Sequence, residues 1–147
     1  MYKLEDIKRI DIVIISYLDK FSLPVLKFSL GLVFIWFGAL KVVGQSPAAE
    51  VVSRTVYWID PELFVPFLGA WEVAIGVCLL FTPLIRLGLL LLAVQMPGTF
   101  LPLILLPEIC FENVPFDLTL EGQYIIKNMV LIGAAMVVGS KVIPLKK

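Results

Sequence analysis

Four stretches of mostly apolar residues, 25–43, 63–82, 84–106 and 122–140, alternate with short polar segments along the chain. Each is close to the 20 or so residues that a helix needs to cross a hydrocarbon core, so the pattern predicts four transmembrane helices. The turn between the second and third is about five residues around Pro83 and folds them into an antiparallel hairpin. Ahead of the first span, Leu4, Ile7, Ile10, Ile14, Leu18 and Phe21 recur every three or four positions. That spacing predicts an amphipathic helix over 1–21, either lying on the cytoplasmic interface or capping the bundle. In the 44–62 loop, Ser46-Pro47 reads as an N-cap followed by proline at the first helical position, ahead of Ala48, Val51, Val52, Val56 and Trp58. A short external helix at the headgroups is predicted there. The expected fold is one all-α domain over 1–147: an integral membrane antiparallel four-helix bundle with an N-terminal amphipathic interfacial helix and a short external helix.

Composition sharpens this. The 147 residues are 60% hydrophobic and 16% charged, with a mean hydropathy of +0.99, more apolar surface than a small soluble domain can hide. There is no histidine, which removes the usual haem ligand, imidazole-based zinc sites and every Ser/Cys-His catalytic arrangement. Twelve basic and twelve acidic residues cancel, so nothing points to a nucleic-acid partner.

The placement of the charges sets the orientation. Lys3, Lys8, Arg9, Lys20, Lys27, Arg86, Lys141, Lys146 and Lys147 fall on the side shared by both termini, and only Lys41 and Arg54 on the other. The positive-inside rule makes both termini cytoplasmic. The first 24 residues carry eight charges and lack both an apolar core and a small-residue cleavage site, so they do not read as a removable signal peptide.

In lipid, small and polar residues mark the helix faces that touch other helices. At 100° per residue, Lys27, Gly31, Phe34, Gly38 and Lys41 fall within about 80° on the first span. The same arithmetic groups Gly69, Glu72 and Gly76 on the second, Gly88, Gln95, Thr99 and Pro102 on the third, and Gln123, Lys127, Ala134 and Lys141 on the fourth. At about 1.5 Å per residue from the outer face, Glu72 lies roughly 14 Å deep, Gln95 roughly 16 Å, Lys127 roughly 8 Å and Lys41 about 3 Å. A charge at that depth costs about 2.5 to 3.5 kcal/mol, so Glu72 must be paired or protonated. The depths favour an ion pair between Glu72 and Lys127, with Gln95 as hydrogen-bond partner and Lys41 nearer the mouth. Such a cluster is either a structural clasp fixing helix register or a site for a small polar or amphiphilic ligand.

The third span is interrupted by Pro97 and Pro102, which free the carbonyls of Ala93 and Gly98. That is a plain kink or the wall of a cavity. Trp36, Trp71 and Tyr124 offer flat aromatic surface for such a wall or for lipid contact. Cys78 and Cys110 are expected more than about 20 Å apart, beyond disulfide reach, so no intramolecular dithiol centre is expected. Pairing of Cys110 between molecules stays open. No metal site is expected.

The segments FSLGLVFIWFGALKV at 28–42, GAWEVAIGVCLLFTPLIRLGLLL at 69–91 and LTLEGQYIIKNMVLIGAAMVVG at 118–139 resemble the DoxX superfamily of small four-helix bacterial inner-membrane proteins, specifically its YkgB-like branch. Lys27, Gly31, Phe34, Gly38 and Lys41 match the family's first helix, Glu72 and Gly76 its second, and Lys127 a lysine of the fourth helix in that branch. The resemblance implies a multi-pass bacterial inner-membrane bundle with cytoplasmic termini. Relatives include a membrane subunit of a thiosulfate:quinone oxidoreductase, a component of a mycobacterial membrane oxidoreductase complex and a protein linked to reactive-chlorine resistance. It transfers no catalytic residue.

Three functions follow as expectations. The first is a quinone- or small-amphiphile-binding accessory module of a membrane redox or oxidative-stress system, with Lys41, Glu72, Gln95, Thr99, Tyr124 and Lys127 as ligand-binding candidates. A bound quinone or lipid would be its ligand. A membrane or cytoplasmic redox protein would be its partner, since the chain has no haem, flavin or iron–sulfur motif; membrane lipid and further copies of the chain are other expected contacts. The second is a non-enzymatic scaffold or assembly factor whose polar cluster is a clasp. The third is a small transporter, which four short helices would form only as an oligomer.

Overall fold

Helix α1 runs unbroken from Tyr2 to Val42 through Pro24. The computed structural model describes residues 2–143; Lys146 and Lys147, counted above on the cytoplasmic side, lie outside them. Among the described residues the chain is mostly helical: α2 (Ala49–Thr55), α3 (Pro61–Leu80), α4 (Ile85–Phe100), α5 (Pro102–Leu105), α6 (Pro107–Cys110) and α7 (Leu120–Ser140) follow α1. Four segments, Leu4–Val42, Pro61–Leu80, Thr82–Leu105 and Leu120–Ser140, are long and apolar enough to cross a membrane, within a few residues of the four predicted spans at most of their ends.

The first departs from prediction at its start. The separate amphipathic helix over 1–21 and the span over 25–43 are one helix. Pro24 removes one N–H, but no glycine or turn residue stands beside it to stop the helix, and membrane helices tolerate such an interruption. Nor does the N-terminal part cap the other helices, because residues 4–22 are all exposed.

Helices α1 and α3 approach each other closely, and glycines make the contact. A Cβ on Gly38 would lie 2.5 Å from the Gly69 carbonyl oxygen, one on Gly69 2.6 Å from that of Gly38, and one on Gly76 2.5 Å from that of Gly31. Only glycine allows backbones to approach this closely. The pairs Gly38/Gly69 and Gly31/Gly76 are both seven residues apart on their own helices and run in opposite directions, so α1 and α3 are antiparallel with a constant register. Leu80, at the end of α3, packs over Gly31. Most of α1 before Lys27 therefore extends past the end of α3.

A 3-10 turn at Thr82–Leu84 reverses the chain into α4, as Pro83 predicted. Helix α4 lies on α3, with Gly88 against Cys78 and the Trp71 Nε1–H donating to the Leu91 carbonyl at 3.3 Å. Helix α7 contacts both α4 and α1. The core between them consists of Leu30 and Phe34 of α1, Ile75 and Leu79 of α3, Leu92 and Met96 of α4, and Ala135 and Val138 of α7, with Ile85 at the turn. The Arg86 guanidinium donates to the Ile143 carbonyl, tying the α3–α4 turn to the end of α7.

At the opposite end, α2 begins at Ala49 rather than at Pro47, because Ser46 Oγ accepts from the Ala48 N–H at 3.3 Å and holds the chain in a turn first. Arg54 of α2 reaches Glu50 at 4.0 Å and Glu108 of α6 at 3.8 Å. A two-stranded hairpin, β1 (Phe111–Asn113) with β2 (Asp117–Leu118), precedes α7 and had no counterpart in the predicted elements. Thr119 caps α7 by accepting from the Gly122 N–H at 3.1 Å while its hydroxyl donates to the Ile109 carbonyl at 2.6 Å.

Candidate functional site

The polar residues that meet inside the helices are Lys41, Glu72 and Gln95. Lys41 Nζ lies 2.7 Å from Glu72 Oε2, and the side chains are only 8% and 10% exposed. Gln95 Nε2 donates to the other carboxylate oxygen, Glu72 Oε1, at 2.8 Å. The carboxylate thus bridges an ammonium on α1 and an amide on α4.

Lys41, not Lys127, is therefore the partner of Glu72. The glycine register places Lys41 level with Pro66 and Glu72 level with Ile35, a gap of about six residues or 9 Å along the axis. Side chains on a helix lean toward its N-terminus, so in an antiparallel pair Lys41 leans inward and Glu72 outward, toward each other. A depth count on backbone positions alone misses this convergence. The equal spacing of Gly31/Gly38 and Gly69/Gly76 was the signal in the sequence that could have found it.

Lys127 stands apart from the cluster. It is exposed, with its ammonium 4.9 Å from the ring centroid of Tyr124, itself 60% exposed. The buried face of α7 carries Gly122, Ile125, Ala135 and Val138. Lys127 follows Ile125 by two positions and so projects about 160° away from it. The grouping of Gln123, Lys127, Ala134 and Lys141 chose the wrong face because it followed polar residues, whereas α7 packs through small and apolar ones. Thr99 is half-buried one turn beyond Gln95, and its hydroxyl donates to the Gln95 backbone carbonyl at 3.4 Å.

One atom of the cluster is left over. Gln95 Oε1 is buried and finds no hydrogen-bond partner among the described residues. Exchanging the amide oxygen and nitrogen does not relieve this, because it would set an acceptor against the Glu72 carboxylate; the network fixes the orientation. A buried acceptor without a donor costs about 1–3 kcal/mol, so this one is a point where a ligand's donor would be welcomed.

Two open hollows lie on these helices, and the first is lined by a residue of the cluster. One of about 420 Å³ lies between α2 and the start of α3 and is lined by Lys41 together with Glu50, Ser53 and Glu62. The other, about 610 Å³ and apolar, runs between α4 and α7, lined by Leu92, Met96, Pro97, Phe100, Ile132 and Met136 among others. The interrupted third span contributes to this groove through Pro97. Pro102 does not leave the Gly98 carbonyl free, since the Leu101 N–H takes it at 3.3 Å.

The aromatic residues do not wall the cluster together. Trp36 is 63% exposed, Tyr124 lies on the outer face of α7, and Trp71 alone is partly buried. Both cysteines are free and buried. Cys110 is fully covered, with Gly122 packed on its backbone, so its thiol does not present itself for pairing between molecules. Burial pushes that thiol's pKa up from its ordinary value, and the nearby carboxylates of Glu108 and Glu121 add to the effect. No protein-family model matches the chain, and no curated protein or solved structure matches it either.

Proposed function

We propose that this protein is a DoxX-like, multi-pass protein of the bacterial inner membrane, an antiparallel four-helix bundle that binds a quinone or similar small amphiphile at Lys41, Glu72 and Gln95. It would serve as an accessory module of a membrane redox or oxidative-stress system. The observation that carries this reading is the buried Lys41–Glu72–Gln95 cluster, set among otherwise apolar helices and holding a spare acceptor at Gln95 Oε1. A clasp needs only the ion pair. The additional amide and its unused oxygen favour a site.

The orientation with cytoplasmic termini rests on the positive-inside rule. The contact of Arg86 with Ile143 supports it by joining the α3–α4 turn and the end of α7 at one end, where the basic residues gather. The acids Glu50, Asp60, Glu62, Glu108, Glu112, Asp117 and Glu121 would then face the outer side. The apolar groove between α4 and α7 would hold a ring or chain against Leu92 and Met96, which flank Gln95 in the sequence of α4. Within the site, Glu72 would hold Gln95 and Lys41 in place and exchange a proton with the ligand, while electrons would come from a partner protein.

The scaffold reading keeps one specific support. Residues 4–22 of α1 are exposed and include Ile10, Ile12, Val13, Ile14, Ile15 and Leu18, an apolar surface suited to recruiting a partner. Native mass spectrometry with small-molecule extraction, on the wild type and on Gln95→Leu in mild detergent, separates the two. A stoichiometric molecule lost in the variant supports the site. Bulk lipid alone, unchanged by the substitution, supports the scaffold and reduces the cluster to a clasp.

A further inference from the structure

Helix α1 carries an apolar row that the other described residues leave uncovered. Ile7, Ile10, Ile14, Tyr17 and Phe21 recur every three or four positions ahead of Pro24, and Val25, Phe28, Leu32 and Trp36 continue the row beyond it. All nine are between 43% and 63% exposed. At 100° per residue they fall within an arc of about 100°. That arc is centred about 150° around the helix from Leu30, Phe34, Gly38 and Lys41, which face the other helices. The seven charges from Glu5 to Lys20, four acids and three bases, all lie outside the arc. The 41 residues of α1 reach about 60 Å, twice the roughly 30 Å of a hydrocarbon core. With Lys41 near one surface, the first half of the row stands clear of the lipid that covers the second half.

We propose that two copies of the chain pair along this row, α1 against α1 in parallel, through the membrane and beyond it on the side of the N-terminus. The inference rests on the membrane-spanning bundle and not on the ligand site. Whatever covers the row must run beside α1 both within lipid and outside it. A bilayer surface does not, because α1 is unbroken through Pro24 and its first half continues the span instead of turning into the membrane plane. Its nearly balanced charge also lacks the excess of lysine and arginine that holds surface helices to anionic lipid. A second copy does, since it sends an identical helix through the same membrane in the same direction, with the same row at the same height. Identical residues then face each other across a two-fold axis, and no charge is enclosed between them. The area suffices: the nine side chains leave on the order of 1,000 Å² exposed in each copy, against the roughly 800 Å² per partner of a stable interface.

Single cysteines test the pairing. Ile10→Cys, Ile14→Cys and Phe21→Cys lie on the row, and Ile12→Cys and Ser16→Cys on the other side of α1, all at exposed positions. The chain's own Cys78 and Cys110 are buried, and wild-type protein supplies the background. Oxidation by copper phenanthroline in isolated membranes should give disulfide-linked dimers on the row about fivefold or more above the other side, since Cα atoms more than about 7 Å apart cannot be bridged. In native mass spectrometry, Ile14→Asp should turn the dimer into monomer while Ile12→Asp leaves it. Equal cross-linking on both sides reports collision alone and overturns the pairing, as does monomeric wild-type protein with no cross-link at any position. A cross-link to a chain of different mass assigns the row to another protein and also overturns it. Nitroxides on the row should broaden each other's spectra; row labels that are unbroadened and open to oxygen but not to a nickel chelate place the row in lipid and overturn the pairing. Quinone binding is read separately on the same samples. A monomer that binds quinone removes the pairing alone, and a dimer that binds none upholds the pairing and removes the ligand reading.

Discussion

Lys41 and Glu72 sit about six residues apart along the shared axis of α1 and α3, yet their charged groups meet at 2.7 Å. The opposite lean of side chains on antiparallel helices closes the gap, and the glycine contacts bring the helices near enough for it to close. Removing one partner leaves an uncompensated buried charge. Lys41→Met and Glu72→Gln are each expected to cost about 3–5 kcal/mol, and the double variant to recover most of that. Unfolding in detergent monitored by circular dichroism reads the cycle; strictly additive losses would show that the pair is not coupled.

The α1–α3 glycines set a second expectation. Gly38→Ala places a methyl 2.5 Å from the Gly69 carbonyl oxygen, and backbone cannot move aside as a side chain can. A loss of about 1–3 kcal/mol is expected, together with weakening of the Lys41–Glu72 contact. Gly133→Ala is the matched control, since nothing lies within 4 Å of a Cβ there. It should be neutral or gain up to about 1 kcal/mol from helix propensity. Equal effects of the two substitutions would argue against the close contact.

Lys127 provides the contrast to Lys41. Because it is exposed with its ammonium over the Tyr124 ring, Lys127→Met should change stability by less than about 1 kcal/mol, the scale of an exposed cation–π contact. A loss as large as that of Lys41→Met would restore the pairing with Glu72 that backbone depth suggests.

Much of the architecture was legible from periodicity. The four spans, the Pro83 reversal, and the stripes Lys27–Lys41 and Gly69–Gly76 follow from apolar windows and 100° arithmetic, and the structure places Gln95 on Glu72 as the stripes imply. What was not legible depended on directions and partners that a one-dimensional pattern omits. The choice between Lys41 and Lys127 turned on side-chain lean and on α7 packing through Ile125, Ala135 and Val138. The continuity of α1 through Pro24 turned on the lack of a stop signal there. The hairpin at Phe111–Leu118 is too short to carry a period of its own.

Cys110 yields a pH-dependent expectation. Its thiol is favoured over the thiolate in the folded chain, first by burial and then by Glu108 and Glu121. The unfolded chain therefore ionises first as pH rises above the ordinary value of 9.0, so stability is full below that pH and declines above it. Melting curves between about pH 8 and 10 should fall faster for the wild type than for Cys110→Ala. At neutral pH, maleimide should label Cys110 slowly in the folded protein and quickly in denaturant; rapid labelling of the folded protein would contradict its burial.

The most direct measurement is photolabelling with an aryl-azide quinone, followed by peptide mapping, on wild-type protein and on Gln95→Leu in nanodiscs. Binding at the cluster places the label on α3 and α4 near Glu72, Gln95 and Met96, with loss of that label in the variant and upon competition by unlabelled quinone. Label confined to exposed positions such as Trp36 and Tyr124, and indifferent to substitution and competitor, would contradict a ligand site at Lys41, Glu72 and Gln95.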